Sequence, residues 1–138
     1  HKQLATECFN TVWDLLEKTD RTENETEEMI HRCHTSFWHW TQVKDHTEQN
    51  LSIGYWQLSR VYAVVENGVQ ALYYAKRCLD ISKNAELPPF YIAYAYEALA
   101  RSYVVLNQMG QAEETIIQVK KYTELVMMRI VRSYYWQI

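Results

Sequence analysis

Nearly the same segment occurs twice in this chain, and that repeat is the strongest constraint on its fold. "SRVYAVVENGVQA" begins at Ser59, and "ARSYVVLNQMGQA" begins 41 residues later at Ala100. A period of this length is typical of repeat proteins, in which each unit buries its apolar face only against its neighbours. Shifting residues 51–71 by 41 positions gives seven identities: Tyr55/Tyr96, Leu58/Leu99, Arg60/Arg101, Tyr62/Tyr103, Val64/Val105, Gln70/Gln111 and Ala71/Ala112.

The chain reads as helices throughout. It has only three glycines and two prolines in 138 residues, which favours long helices over a turn-rich β architecture. Apolar residues recur at three- and four-residue steps, and Thr22 followed by Glu25 is a capping-box pattern. We expect a left-handed helix end at Asn67–Gly68 and the end of the fifth helix near Gly110.

Short links between these helices predict antiparallel neighbours. The sequence therefore predicts an all-α fold of three stacked antiparallel helical hairpins, in one domain over residues 1–138. The hairpins are expected at about 3–44, 47–84 and 88–135.

The repeated segments resemble the first helix of the tetratricopeptide repeat (TPR). That helix has an aromatic residue, a leucine three later, a small residue next and a tyrosine three after that. The chain shows the pattern as Tyr55, Leu58, Ser59, Tyr62 and again as Tyr96, Leu99, Ala100, Tyr103.

The second helix of each repeat matches less completely. Ala71 and Ala112 match the alanine of its first turn, and Cys78 matches a small residue that Val119 replaces in the third hairpin. The usual helix-ending proline is absent, and "KNAELPP" lengthens the link beyond the usual period of about 34 residues.

The resemblance covers residues 50–123 and is weak over the first hairpin. "YWQLSRVYAVV", "AKRCL" and "AYEALARSY" also look like a group of uncharacterised bacterial proteins with this repeat. The resemblance implies a TPR-like right-handed superhelix and no particular activity.

In such an array the first helix of each pair lines a concave groove. The positions expected to face it are Ile53, Trp56, Gln57, Arg60, Tyr94, Glu97, Arg101 and Val105. We expect a non-catalytic module that binds a protein or peptide segment there. Arg60 and Arg101 would hold a carboxylate, while Trp56 and Tyr94 would hold an apolar side chain. Alternatively, Glu97 neutralises Arg101 within one helix and Trp56 is packing.

A weaker alternative is a metal- or small-ligand-binding sensor or enzyme. Glu27, His31 and His34 share one face of the second helix, and a carboxylate with neutral imidazoles can hold a divalent metal. His39 or His46 would complete the set. The competing interpretation is a solvated polar face, or histidines hydrogen-bonded beside Trp38 and Trp40.

No catalytic motif and no cofactor-binding loop are found. The net charge of −3 offers no attraction to nucleic acid or to an anionic membrane. No apolar run approaches the roughly 20 residues of a membrane span, and no leader pattern is present. We therefore expect a cytoplasmic location. Cys8, Cys33 and Cys78 form no paired motif and are expected to be small buried hydrophobes.

The last segment, "VMMRIVRSYYWQI", is more apolar than a final helix needs. Two interpretations remain open: the segment caps its own array, or it meets a second copy in a homodimer. A third role, as a structural subunit of a larger assembly, uses the same surface. The residues concerned are Val126, Ile130, Val131, Tyr135 and Ile138.

Overall fold

The computed structural model describes residues 1–136, with side chains as far as Ser133. Within these residues the chain forms six α-helices and no strand, which confirms the all-α prediction. No helix among them is long and apolar enough to cross a membrane. The helices are α1 (Lys2–Glu17), α2 (Glu23–Gln42), α3 (Glu48–Val64), α4 (Gly68–Asn84), α5 (Pro89–Val105) and α6 (Met109–Trp136).

The helix starts follow local sequence signals. Thr22 and Thr47 each close a complete capping box, with Glu25 and Asn50 as the reciprocal partners. Each box satisfies backbone donors that the first helical turn leaves free. Pro89 occupies the first turn of α5, where the missing N–H removes no hydrogen bond.

Three helices end in the same left-handed turn, whereas the sequence predicts only one such turn, at Asn67–Gly68. The residues with positive φ are Glu66 (63°), Glu86 (52°) and Asn107 (58°), and no glycine has positive φ. After each, the next N–H bonds five residues back, for example Asn67 to the carbonyl of Tyr62 at 2.9 Å. This is the Schellman pattern.

These ends correct two predicted boundaries. The expected cap at Asn67–Gly68 is wrong, because Glu66 takes the left-handed conformation while Asn67 caps the start of α4. The expected end of the fifth helix near Gly110 is also wrong. Asn107 turns the chain just after Val105, and Gly110 already lies in α6.

Each helix packs on the next along the chain, most extensively within α1–α2, α3–α4 and α5–α6, and α3 also packs on α5. One core cluster joins the first two pairs through Val12, Met29, Cys33, Leu58 and Val61, and a second joins α4 to α5 through Ala75, Ala98 and Leu99. These clusters thus connect neighbouring helix pairs.

The three cysteines are free and buried, as expected of small hydrophobes. Burial raises the pKa of the Cys33 thiol far above its usual range, and it raises that of Cys78 to about 11. These thiols are therefore protonated at neutral pH and are poor nucleophiles.

Candidate functional site

The contact between α3 and α5 brings repeat-equivalent residues together. Trp56 and Glu97 occupy equivalent positions, and the indole Nε1–H of Trp56 donates a hydrogen bond to Glu97 Oε2 at 3.1 Å. The other oxygen of Glu97 accepts from Arg101 Nη2, one helical turn further along α5. One carboxylate therefore holds both an aromatic side chain and a guanidinium group.

Arg60 and Arg101 are the second equivalent pair. They lie near each other, and their two positive charges exceed the single negative charge of Glu97. Burial and the positive charge of Arg60 lower the pKa of Arg101 to about 10, so Arg101 remains cationic at neutral pH. Its Nη1 atom is buried without a hydrogen-bond partner. Within the described residues, no Asp or Glu forms an ion pair with Arg60. Glu97 thus pairs with Arg101, and Arg60 adds a second positive charge without a carboxylate of its own.

Aromatic rings form the wall beside these charges. Trp56 packs against Trp13 and Tyr94, with ring centroids 5.6 Å apart in both contacts. Phe90 extends the row at 4.8 Å from Tyr94. The row runs from α1 across α3 to α5, and Tyr94 and Phe90 are exposed to solvent.

Two cavities lie along this row and share Trp56, Phe90 and Tyr94. The first, of about 420 Å³, contains Glu97 and Arg101 and is closed on the far side by Val119, Thr123 and Val126 of α6. The second, of about 240 Å³, has a mainly apolar and aromatic lining with Phe9, Trp13 and Ile53. We call the first the charged chamber, the second the aromatic chamber, and the two together the groove.

Four of the five predicted binding residues, Trp56, Tyr94, Glu97 and Arg101, line the charged chamber. The fifth, Arg60, lies close enough to Arg101 to affect its pKa but lines neither chamber. The prediction that Gln57 faces the groove is wrong, because this residue is only 1% exposed. Its Nε2 donates to the carbonyl of Phe9 at 3.1 Å, which ties α1 to α3.

Sequence reasoning missed the residues that α1, the start of α5 and α6 contribute to the groove. Trp13 and Phe9 belong to a stripe that reads as core, and nothing local distinguishes a ring that lines a cavity from one that fills a gap. Val119, Thr123 and Val126 follow i, i+4, i+7 spacing, so their common face was visible.

The histidine face has a different structure from a metal site. In the described part of the chain, no group of three or more His, Cys, Asp or Glu side chains is arranged to hold a metal ion. His34 Nε2 lies 2.8 Å from the Tyr62 hydroxyl, and its ring packs edge-on against Tyr62 and Tyr74. Glu27 and His31 are exposed. The geometry therefore favours a hydrogen-bonded aromatic cluster over the Glu27, His31, His34 ligand set.

Comparison of the chain with protein-family models, curated proteins and solved structures gives no match. The functional argument therefore rests on the geometry of the groove.

Proposed function

We propose that this chain is a non-catalytic interaction module with a TPR-like stacking of its three hairpins, and that it binds a protein or peptide segment in the groove. The 41-residue repeat and the lateral contact of equivalent residues on α3 and α5 support the stacking. The groove offers a charged chamber next to an aromatic chamber, which suits recognition of a segment with one polar and one apolar anchor.

The observation that carries this proposal is the excess of guanidinium groups at the charged chamber, where Arg101 lines the cavity and Arg60 lies near Arg101. An Arg101–Glu97 pair alone is what a purely structural role requires. That role leaves the buried Nη1 atom of Arg101 without an acceptor and Arg60 without a carboxylate. A buried donor without an acceptor is destabilising, so the position of Arg101 Nη1 beside an open cavity supports a ligand that supplies the acceptor.

A random peptide library displayed on phage tests the proposal. We expect wild-type protein to enrich peptides that share an acidic and an apolar position, and an Arg60→Ala/Arg101→Ala double variant to lose them. Arg32→Ala/Arg77→Ala is the matched control, because it removes the same charge from outside the groove. Circular dichroism checks that each variant is folded. Equal enrichment by all three proteins would refute groove binding.

A second proposal concerns the end of α6. This helix has 28 residues against 17 in α5, so it extends roughly 16 Å beyond its partner. Met127, Met128, Ile130 and Val131 are 55%, 51%, 57% and 47% exposed. We propose that this end forms the contact of a two-fold homodimer, or of a larger assembly, since exposed apolar surface of this kind favours association.

A further inference from the structure

The charge balance in the groove specifies the ligand more closely than the proposed function does. Arg101 and Glu97 line the charged chamber with one charge each, and Arg60, which lies near Arg101, adds a second positive charge. Both oxygens of Glu97 are already occupied, one by Arg101 Nη2 and the other by the Trp56 indole. In this arrangement Glu97 forms no ion pair with Arg60 and accepts no hydrogen bond from Arg101 Nη1.

Resting on the proposed function, we propose that the groove binds an aromatic monocarboxylate: a ligand with one carboxylate next to one aromatic group. The carboxylate would accept hydrogen bonds from Arg101 Nη1 and from Arg60, and the aromatic group would enter the aromatic chamber. Two sources fit this chemistry, the C-terminal residue of a polypeptide and a free aromatic acid.

The limit to one carboxylate follows from the chamber walls. A single incoming negative charge balances the two guanidinium groups and Glu97. A second negative charge would have no positive partner and would lie beside Val119 and Val126, where desolvation of an unpaired charge is costly. The site thus disfavours phosphate dianions and adjacent pairs of carboxylates.

The aromatic part follows from the second chamber. Its volume of about 240 Å³ lies below the range of drug-sized ligand sites and suits one side chain. Its lining has no Asp, Glu, Lys or Arg, and it presents the rings of Phe9, Trp13 and Trp56. Ring edges and faces at these positions favour a further aromatic ring over a charged group.

Glu97 also has a second role, because it accepts a hydrogen bond from the indole of Trp56, a ring that lines both chambers. It sets the orientation of Trp56 and also competes with the ligand for Arg101. Glu97 is therefore a positioning residue that weakens carboxylate binding.

The first test compares N-acetyl-L-phenylalanine with N-acetyl-L-phenylalaninamide, which differ in the carboxylate. Binding is followed by the indole Nε1–H resonance of Trp56 in ¹⁵N-correlated NMR spectra, assigned with Trp56→Phe. We expect the acid to bind about tenfold or more tightly than the amide, since a charge-assisted hydrogen bond replaces a neutral one. Equal affinities would overturn the proposal.

Two charge variants make the test specific to the site. Glu97→Gln keeps an acceptor for Trp56 and removes the competing charge, so the acid should bind roughly threefold more tightly and the amide unchanged. Arg101→Gln should remove the preference for the acid. Glu28→Gln and Arg32→Gln are matched controls, because they come from an i,i+4 ion pair of the same type on α2. Tighter binding after Glu97→Gln cannot result from misfolding. Unchanged or weaker acid binding there would overturn the proposal.

A third arm distinguishes the two sources. A hexapeptide that ends in phenylalanine with a free carboxylate is compared with 3-phenylpropionate. Tighter binding of the peptide supports a polypeptide C-terminus, and tighter binding of the small acid supports a free aromatic acid. If neither perturbs Trp56 while library peptides still require Arg60 and Arg101, this inference fails and the proposed function stands. If wild-type protein enriches no library peptide, or enriches peptides that bind equally well without Arg60 and Arg101, the proposed function fails instead.

Discussion

At the scale of single residues, equivalent positions of the repeat have acquired different chemistry. Position 56 is a tryptophan in α3 and position 97 a glutamate in α5, yet the repeat places them side by side and they form a hydrogen bond. Gln57 is equivalent to Ala98, and both are buried, one as a polar tie to α1 and the other as core. The repeat thus conserves location rather than role.

His34 gives a prediction at this scale. Burial, with a smaller contribution from His31, lowers the pKa of His34 in the folded state. The unfolded chain therefore binds a proton more readily, since an unperturbed histidine has a pKa of about 6.5. We expect this contribution to stability to be complete above pH 6.5 and to be lost as the pH falls below it. Urea unfolding at pH 7.5 and pH 5.5 measures the effect.

Two histidine variants identify the source. His34→Gln should reduce the difference in free energy of unfolding between these pH values. His31→Gln removes an exposed histidine one turn away and should leave most of the difference in place. A pH dependence that survives His34→Gln unchanged would show that another group is responsible.

At the scale of helices, α2 and α3 approach each other so closely at Gly54 that a larger residue would clash. A Cβ built on Gly54 of α3 would lie 2.5 Å from Phe37 Cδ2 of α2, and that ring is itself packed at 4.5 Å from Tyr55. At Gly110, near the start of α6, a Cβ would meet nothing within 4 Å. The same substitution should therefore have opposite effects at the two positions.

We predict that Gly54→Ala lowers the free energy of unfolding by about 1 to 3 kcal/mol, because the Phe37 ring must move in a packed site. Gly110→Ala should raise it by about 0.5 to 1 kcal/mol, through helix propensity and lower entropy of the unfolded chain. Chemical denaturation of both variants checks this. Stabilisation by Gly54→Ala would mean that α2 and α3 separate more easily than the structure indicates.

At the scale of the whole molecule, equivalent faces of α4 and α6 differ in polarity. In α4 the residues Leu72 and Leu79 pack on the cluster shared with α5. The equivalent residues of α6 are Glu113 and Lys120, and both are exposed. Exposed charged side chains make this face less suited to burial against another hairpin than the face of α4, and terminal repeats characteristically present such a polar face. This polar face supports the proposal that the apolar end of α6 makes a contact of a different kind.

The homodimer proposal predicts that deletion of residues 127–138 halves the molecular mass in solution. The remaining chain should stay folded, because Met127, Met128, Ile130 and Val131 are largely exposed. Light scattering after size-exclusion chromatography measures the mass, and circular dichroism measures helicity. The predicted contacts at Tyr135 and Ile138 lie outside the part of the chain whose side chains the structure describes.

Point variants on α6 control for the deletion. Ile130→Glu should dissociate the dimer, whereas Ile117→Glu, at a position 64% exposed on the first half of the helix, should not. A monomeric full-length chain, or equal effects of the two variants, would argue against a dimer through this end.

Much of the fold was predictable because its signals are local. Thr22 and Glu25 are only three residues apart, and together they mark the start of α2. The spacing of apolar residues likewise identifies the buried face of a single helix. The left-handed turn at the end of α3 was misplaced because Asn67 and Gly68 suggest such a turn, while Glu66 adopts it under the constraint of the flanking helices. Gln57 was misassigned because its partner, the carbonyl of Phe9, is 48 residues away.

By itself, the sequence determined that this protein is helical, where most helices begin, and that positions 41 residues apart are equivalent. These properties depend on backbone hydrogen bonding and on side-chain periodicity within short segments. Only the tertiary structure decided which rings line cavities and which fill gaps. It also decided that Glu97 pairs with Arg101 rather than with Arg60. The reason is physical: burial and electrostatic pairing depend on distances between helices, and those distances are set by the packing of the whole chain.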